Sequence, residues 1–369
     1  MSKLCIILNM MPHYRKAIYE IIDREFDCDW YVGDGVDDIA SMDYGHIKRC
    51  TVLRNKYFGF KAYYQKSMLG KIFDKRYSRY LMTGDIRNLS LWMFLIISRF
   101  YPKKKVYTWT HGYYGKGGRF TNFVNRLFFA LSDGVFLYGE YARNFMIYQG
   151  ISPSKLFVIH NSLDYDEHVK CRASISKTNI YEIHFNNSFP NLIFVGRLTQ
   201  VKRLDLLIEA IEILSKEGRF YNVTFVGDGT ERAQLEKLVS KYNLHDRIWF
   251  YGPCYDEKIN AELIYNADLC VSPGNVGLTA IHSLVFGTPV ATHDNFVEQM
   301  PEFEAIKDGY TGTFFRYHDS VSIACAIKKW FDEFKDERDI VRKRCMEEID
   351  LRWNPKYQIE VLKQNIDVI

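Results

Sequence analysis

Residues 191–214, NLIFVGRLTQVKRLDLLIEAIEIL, contain a short apolar run, a turn with two cations and a longer apolar pattern. The run at 191–195 has the length of a buried strand, and Leu204, Leu207 and Ile211 then recur at helical spacing. A strand that passes through a tight turn into an amphipathic helix is the repeating unit of α/β folds. In such folds helices cover both faces of a parallel sheet. This stretch therefore predicts an α/β protein.

The same alternation of strands and helices continues in both directions, in two runs that meet at roughly residues 165–190. Two runs predict two Rossmann-like domains, and 369 residues suffice for both. We expect a first domain at 1–165, a second at 166–346, and a C-terminal helical segment at 347–369 that packs back on the first. Ligands of open parallel sheets bind beyond the carboxyl ends of the strands. Two facing sheets would place the main site in a deep cleft between the domains.

The composition excludes several classes of protein. Hydrophobic residues make up 47% and charged residues 25%, which is typical of a globular chain rather than a disordered or fibrous one. The eight cysteines are dispersed without a C-x-x-C pair or zinc-ligand spacing, which favours reduced thiols in the cytoplasm over a disulfide framework. The longest apolar stretch, 89–97, is shorter than the ~20 residues that span a bilayer. We therefore expect a cytoplasmic protein without a spanning segment.

Charge is distributed unevenly, although the net charge is only +4. Residues 1–165 hold 24 basic and 14 acidic side chains, a balance of +10, and the remainder holds 25 and 31, a balance of −6. Residues 48–126 alone contain 18 basic, 2 acidic and 18 aromatic side chains. This asymmetry predicts that the first half faces an anionic partner, such as lipid headgroups, nucleic acid or a phosphorylated substrate.

Two segments of the second half are candidates for an anion site. Arg197 lies just beyond the first strand of this half, and Lys202 lies at the start of the following helix. Both cations would reach the same crevice, where they would stabilise an anionic leaving group such as a nucleoside diphosphate. The alternative is a pair of solvated charges on a turn.

The second segment, residues 272–290, runs from a strand through a glycine-containing loop into a helix. Backbone amides at the positive end of that helix would bind phosphate oxygens. The expected donor-binding residues here are Gly274, Asn275, Val276, Gly277, Leu278 and Thr279. A plain Rossmann turn is the alternative, because this pattern is common.

Together these segments resemble the retaining glycosyltransferases of family 4, of the type that builds polysaccharide and lipopolysaccharide. The resemblance covers most of residues 135–315 and includes the Gly-Asp-Gly turn at 227–229 and the VIHNSLD segment at 158–164. It implies a GT-B fold, a nucleotide-sugar donor held mainly by the second domain, Gly196 and Gly227 among the donor-binding residues, and no essential metal or other cofactor. Arg197 and Lys202 would replace the metal cation at the diphosphate.

The chain departs from the family at two acidic positions. The family usually has two glutamates, eight positions apart, and Gly274 and His282 occupy those positions here. In the family, the first acid contacts the donor sugar and the second contacts the ribose hydroxyls. An imidazole also forms hydrogen bonds with hydroxyls, so His282 is retained as a donor-binding candidate. The alternative is a structural histidine at a helix–sheet interface.

The first half supplies further candidates at predicted strand ends. His111 follows a strand, and the resemblance places a histidine there beside the donor sugar; we list it with Arg197 and Lys202 as catalytic, against a structural loop histidine. His13 and Arg15, in the first strand-to-helix turn, are acceptor or phosphate contacts or else a plain helix start. Further cleft candidates are Asn161, Glu298 and Glu302, the last two with a surface role as the alternative.

No catalytic triad or pair of carboxylates is recognisable in the sequence. The mechanism implied by the resemblance tolerates this, because the leaving phosphate itself accepts the proton of the acceptor. The protein then supplies positioning and charge stabilisation.

The basic, aromatic stretch at 48–126 favours an anionic membrane surface as its partner. Tyr57, Phe58, Phe60, Tyr63 and Tyr64 alternate with Lys56, Lys61 and Lys66. Such a mixture suits a lipid interface, where each cation contributes about 1 kcal/mol. Aromatics between cations also stack on nucleic-acid bases, but no nucleic-acid-binding motif is present, and we expect no nucleic-acid partner. A solvated basic face with core aromatics is the remaining alternative, and the apolar segment 89–97 is expected to be a buried helix.

The sequence therefore predicts a retaining transferase that moves a sugar from a nucleoside-diphosphate sugar to a hydroxyl of a growing, lipid-linked glycan of capsule or lipopolysaccharide type. It would act as a peripheral protein on the inner face of the cell membrane. Two alternatives remain open, a non-catalytic GT-B scaffold subunit and a nucleotide-sugar epimerase on the same fold.

Overall fold

The computed structural model describes residues 3–35, 40–59 and 62–366. Fifteen strands are assigned within these ranges: β1 Lys3–Leu8, β2 Cys28–Gly33, β3 Cys50–Leu53, β4 Asn55–Tyr57, β5 Tyr63–Gln65, β6 Tyr77–Thr83, β7 Lys105–Thr110, β8 Gly134–Leu137, β9 Leu156–Val158, β10 Asn191–Val195, β11 Asn222–Val226, β12 Ile248–Gly252, β13 Leu269–Ser272, β14 Val290–His293 and β15 Gly312–Phe315.

The helices of the described residues are α1 Lys16–Glu25, α2 Leu89–Ser98, α3 Arg119–Leu131, α4 Glu140–Tyr148, α5 Tyr165–Ser174, α6 Ile180–Phe185, α7 Leu204–Lys216, α8 Arg232–Lys241, α9 Glu257–Asn266, α10 Leu278–Val285, α11 Ser320–Phe334, α12 Arg338–Arg352 and α13 Pro355–Asn365. Side-chain caps fix several of their starts. Asp256, for example, accepts hydrogen bonds from the backbone amides of Lys258 and Ile259 at the start of α9.

The chain divides into two compact units. Unit 1 comprises residues 1–164 and 354–369, and unit 2 comprises residues 165–353. The segment predicted to begin at 347 begins later, because the residues up to Arg352 complete α12 in unit 2. The final helix starts at Pro355, where proline occupies the first turn and Asn354 caps it.

Each unit is built on a parallel sheet. The sheet of unit 2 has the order β12-β11-β10-β13-β14-β15, with every pair parallel. This is the doubly wound order, and its direction reverses between β10 and β13. The sheet of unit 1 has the order β3-β2-β1-β6-β7-β8-β9, again parallel, beside a small antiparallel pair of β4 and β5. The predicted α/β class with two Rossmann-like domains is confirmed.

Helix α13 belongs to unit 1 through apolar and polar contacts. Ile359, Leu362 and Ile366 join the core cluster that contains the residues of β1 and α1. Gln358 is fully buried; its Oε1 accepts a hydrogen bond from Ser162 Oγ at 2.6 Å, and its Nε2 donates to the carbonyl of His160 at 2.8 Å.

The surface of unit 1 has an apolar face where the sequence predicted a buried helix. One side of α2 is buried around Leu91, Phe94 and Leu95, but the opposite side is exposed. We call the exposed apolar side chains of α2, of the turn that follows it and of the contacting helix α3 the apolar face; its members are Leu89, Met93, Ile96, Phe100, Phe120, Phe123 and Leu127.

The aromatic run at 57–64 contributes less exposed surface than predicted. Tyr63 is buried and packs against Tyr57 across the β4–β5 pair, whereas Tyr57 and Phe58 are exposed. The predicted contributions of Phe60 and Lys61 lie outside the described residues. No helix in the described part of the chain is both long and apolar enough to cross a membrane.

Replacing Gln358 by Leu tests the attachment of α13. The change leaves the hydroxyl of Ser162 and the carbonyl of His160 buried without their partner, and each such group costs about 1–3 kcal/mol. We expect the free energy of unfolding to fall by roughly 2–4 kcal/mol in urea titration. Gln364→Leu, on the exposed side of the same helix, is the control and should unfold like the wild type. Equal stability of both variants would contradict the assigned role of Gln358.

Candidate functional site

Two loops of unit 2 meet where the strand order reverses. The turn after β10 and the loop after β13 leave neighbouring parallel strands at their carboxyl ends. This is the position at which doubly wound sheets form a ligand crevice. The first loop contains Arg197 and Lys202, and the second contains residues 273–277 and leads into α10.

Glycines bring the backbones of these loops into contact. A Cβ on Gly274 would lie 1.9 Å from the carbonyl oxygen of Val201, and the amide of Gly274 donates to the carbonyl of Lys202 at 2.9 Å. Gly227 has a similar role beside β10, because its Cβ would lie 2.0 Å from the carbonyl oxygen of Gly196. Position 274 therefore has no room for the acidic side chain that the resemblance leads one to expect.

Lys202 connects the two loops through its side chain. Its Nζ donates to both the carbonyl oxygen and Oδ1 of Asn275, at 2.6 and 2.9 Å. Burial lowers the pKa of Lys202 to about 8; the charge of Glu302 opposes this effect, and that of Arg197 adds to it. The ammonium is therefore charged at neutral pH and loses its proton as the pH rises through about 8.

Arg197 supplies a second positive charge to the same region. Its side chain is exposed, and its charge acts on Lys202. Among the described residues, neither Arg197 nor Lys202 forms an ion pair with a carboxylate. An exposed arginine and a buried lysine in one crevice, with Glu302 as the acidic group that acts on the lysine, suit a negatively charged ligand.

The N-terminus of α10 lies beside Lys202. A Cβ on Gly277 would lie 4.0 Å from Lys202 Nζ, and this glycine has a φ of +55°. Thr279 Oγ1 donates to the carbonyl of Val195 at 2.9 Å, which fixes the first turn of the helix to the end of β10. The first amides of a helix have no partner within the helix and carry its positive dipole. This end of α10 therefore adds positive potential to the crevice.

One of the amides expected to bind phosphate is already used. The amide of Val276 donates to Oε1 of the buried Gln299 at 2.9 Å, and Gln299 Nε2 donates to Thr292 Oγ1 and the carbonyl of His293. Gln299 thus holds the loop in place. This corrects the prediction for the Val276 amide and leaves the amides of residues 277–279 as the anion-binding candidates.

His282 belongs to a cluster that sequence spacing does not reveal. Its Nε2 lies 2.7 Å from Glu257 Oε1, and the Nε2 of His168 lies 3.2 Å from the same oxygen. The two imidazoles stack with ring centroids 5.4 Å apart. The pKa of Glu257 is lowered to about 2 because both histidines form hydrogen bonds with it, although burial opposes this shift. His282 therefore has a protein partner, and its proposed contact with ribose is a separate question.

Unit 1 contains a second polar cluster, at the ends of β7 and β8. Arg15 donates to Tyr138 OH at 2.5 Å, and its guanidinium lies over the ring of Trp109 at 4.3 Å. Its Nε and Nη2 are buried and have no hydrogen-bond partner among the described residues. His111 packs on Tyr138 with centroids 4.7 Å apart. Removal of the ring from water by the surrounding protein, followed by the charge of Arg15, lowers the pKa of His111 to about 4, so its imidazole is neutral at pH 7, although part of the side chain is exposed.

The remaining candidates are placed as follows. His13 is exposed, and its Nδ1 lies 3.2 Å from the carbonyl of Ala40. Asn161 is buried and accepts a hydrogen bond from the amide of Ser162. Glu298 is half-buried in a 3₁₀ turn, and Glu302 is buried within reach of the Lys202 charge. Glu302 is therefore buried and does not have the surface position that the sequence left open as an alternative.

Three further residues organise these sites and were not predicted from the sequence: His168, Glu257 and Gln299. The histidine and the glutamate lie on α5 and α9, far from α10 in sequence, and only the fold brings them to His282. Gln299 follows Glu298 directly, but nothing in its neighbourhood signals that its amide group bridges two loops.

Comparison with known proteins agrees with this architecture. The family model for group 1 glycosyl transferases matches residues 176–344. Alpha-D-kanosaminyltransferase of Streptomyces kanamyceticus is 29% identical over 148 residues, which are 39% of this chain and 37% of that protein. An uncharacterised 41.2 kDa protein in the cps region of Klebsiella pneumoniae is 25% identical over 201 residues, 54% of this chain and 52% of that protein. The chain thus matches between about a third and a half of the length of these relatives.

The crystal structure of HepE from Anabaena, solved in complex with UDP, has a similar fold. The TM-score is 0.71 at 15% identity, and the match covers 98% of this chain and 99% of that one. The chain has the two-domain, Rossmann-like GT-B fold, as predicted.

Replacing Gly274 by Ala tests the contact between the loops. The added methyl group would collide with the backbone of Val201, so the loop must move, and we expect a loss of roughly 2 kcal/mol or more in the free energy of unfolding. Differential scanning fluorimetry and urea titration measure the loss. Gly118→Ala is the control, because nothing lies within 4 Å of its Cβ position. If both variants unfold alike, the close approach at Gly274 is not a constraint.

Proposed function

We propose that this chain is a retaining glycosyltransferase that uses a nucleoside-diphosphate sugar as donor. One observation carries the proposal: Arg197, Lys202 and the N-terminus of α10 converge at the carboxyl ends of β10 and β13. Each of them brings positive charge to the place where a doubly wound sheet binds its ligand. A diphosphate matches this arrangement in charge.

The convergent charges would act on the leaving group. When the bond between the anomeric carbon and the diphosphate oxygen breaks, the electron pair departs with the diphosphate, which becomes more negative. Donors that are already in place stabilise that charge without having to reorganise. The side chains of Arg197 and Lys202 and the amides of residues 277–279 would provide this stabilisation, and no metal ion is needed in this role.

Retention would follow from attack on the same face of the sugar. The acceptor oxygen forms a bond to the anomeric carbon while the diphosphate leaves, and the proton of the acceptor hydroxyl passes to a phosphate oxygen. No protein base is required for this step. In unit 1, the neutral imidazole of His111 would offer a hydrogen bond to a substrate group, and Arg15, whose Nε and Nη2 are buried, would bind an anionic group.

Two of the comparisons support this assignment. The kanosaminyltransferase is named for glycosyl transfer, and HepE was solved with UDP. UDP is therefore the first nucleotide to test. The acceptor we propose is a hydroxyl of a growing, lipid-linked bacterial surface glycan; the location of one relative in a cps region and the surface of unit 1 described below support it.

A panel of UDP- and GDP-sugars, incubated with the protein and followed by NMR of the anomeric proton, tests the reaction itself. We expect slow hydrolysis of one donor to a sugar that keeps its anomeric configuration. Binding without turnover would instead favour a scaffold, and an altered sugar still attached to its nucleotide would favour an epimerase.

The pKa of Lys202 predicts how donor affinity depends on pH. Its ammonium is lost as the pH rises through about 8, so UDP should bind more weakly at about pH 9 than at about pH 7. A hydrogen bond to a charged group is worth about 1.5–3 kcal/mol, so Lys202→Met should weaken binding by roughly 10- to 100-fold at neutral pH. Isothermal titration calorimetry at both pH values measures this.

Comparing variants separates the contribution of Lys202 to the pH dependence of UDP affinity from that of UDP itself, because protonation of the nucleotide affects all variants equally. Lys216→Met, at the exposed end of α7, should keep the affinity and pH profile of the wild type. For Lys202→Met, the affinity for UDP should not show the fall between about pH 7 and about pH 9 that loss of the lysine proton causes in the wild type. A Lys202→Met variant that binds UDP as the wild type does would refute the donor site.

The apolar face of unit 1 supports docking to an anionic membrane. Leu89, Met93, Ile96 and Phe100 recur every three or four residues and form one exposed stripe, and Phe120 continues the face on α3. The two acidic residues of segment 48–126 are already paired, Asp74 with Arg76 and Asp85 with Arg87. Lys103 and Arg119 are exposed basic side chains close in sequence to the apolar face, and the nearby acidic residue Asp133 is paired with Arg99 and Lys105. An apolar face edged by cations suits the interface of an anionic bilayer.

Vesicle sedimentation tests this docking. We expect binding to vesicles of phosphatidylethanolamine and phosphatidylglycerol, weaker binding as salt is added, and little binding to pure phosphatidylcholine. Phe120→Ser should reduce binding several-fold because it removes a ring that is 79% exposed. Tyr255→Ser, which removes an even more exposed ring in unit 2, is the control. Equal binding by both variants, or binding unaffected by salt, would contradict the docking surface.

A further inference from the structure

His168, Glu257 and His282 bring three potential metal ligands to one point. They come from three helices of unit 2, α5, α9 and α10. One ligand atom from each lies within 4.8 Å of the other two, and the Nε2 atoms of His282 and His168 lie 2.7 and 3.2 Å from the same oxygen, Glu257 Oε1.

The cluster is shielded by protein. The side chain of His168 is only 6% exposed, and those of His282 and Glu257 are 14% and 22% exposed. The ring of Phe286 packs against both imidazoles, with centroids 5.3 and 5.7 Å away. The ligands are thus held in position beside an apolar wall, while Glu257 and His282 keep part of their surface open for a cation to enter.

We propose that His168, Glu257 and His282 form a binding site for a divalent transition-metal ion, with Zn²⁺ as the ion that the donor set favours. Imidazole nitrogen prefers zinc, copper or nickel, whereas magnesium and calcium prefer oxygen alone. Two histidines and one carboxylate, with a fourth position open to water, are a known zinc ligand set. To bind the ion, each imidazole would carry its proton on Nδ1, which frees the Nε2 lone pair that now lies 2.7 Å (His282) or 3.2 Å (His168) from Glu257 Oε1.

Small movements suffice for coordination, since Zn–N and Zn–O bonds are about 2.0–2.2 Å long. The ion would cross-link α5, α9 and α10. Its role is distinct from the proposed donor chemistry, because the diphosphate would be bound by Arg197 and Lys202. The proposal does not depend on the function proposed above.

Cobalt spectroscopy tests the site directly. Protein treated with a chelator and dialysed is titrated with Co²⁺, and we expect one equivalent to produce the intense visible absorption of a low-coordinate Co²⁺ ion, which Zn²⁺ then displaces. His168→Ala should weaken Co²⁺ binding by at least about tenfold. His245→Ala, which removes an exposed histidine elsewhere in unit 2, should bind as the wild type does.

Thermal unfolding supplies a second readout. A ligand that binds only the folded state raises its stability, so Zn²⁺ should raise the melting temperature of the wild type and of His245→Ala but not of His168→Ala. If His168→Ala fails to fold, Glu257→Gln replaces it as the test variant, and Zn²⁺ should not raise its melting temperature either. Wild type without the cobalt absorption, or ligand variants with the same affinity and shift as His245→Ala, would show that the cluster is a hydrogen-bonded trio only.

Discussion

The contact between Lys202 and Asn275 is the interaction on which the candidate donor site depends. It connects the turn after β10 to the loop after β13, and both loops arise where the sheet of unit 2 reverses its strand order. The contact requires the two backbones to be close, and this in turn requires glycine at 274. One constraint thus explains the orientation of the lysine, the position of the first turn of α10 and the lack of a side chain where the related family has an acid. What appears in the sequence to be the loss of a catalytic group is, in the structure, a condition for this contact.

The distribution of charge in unit 2 also indicates an anion site at the strand ends. The second half of the chain has a balance of −6, yet the crevice at the strand ends collects Arg197, Lys202 and a helix N-terminus. Burying an ammonium is costly, and the lowered pKa of Lys202 reflects that cost. An anionic ligand would add a further favourable charge to that of Glu302. A buried cation with a shifted pKa in such a crevice is typical of a functional site.

The sequence predicted the parts of the fold that depend on local patterns. The strand at Asn191–Val195 has the predicted bounds, because an uninterrupted apolar run between turns leaves little choice. Strand β2 was missed because it contains Asp29, whose carboxylate is stabilised there by Tyr77 and Arg49 from other elements. In the candidate site, Arg197, Lys202 and the α10 loop followed from strand-end positions. The trio around Glu257 did not, since its members meet only through the packing of three helices.

The site at the junction of these two loops is tested by NMR chemical-shift mapping of ¹⁵N-labelled protein titrated with UDP. We expect the largest shifts at the backbone amides of Gly277, Leu278 and Thr279 and at the side-chain nitrogen of Lys202, while the amide of Val276, already bonded to Gln299, changes less. Shifts that leave these positions unaffected while others respond would contradict the assignment of the diphosphate site to the junction of these two loops.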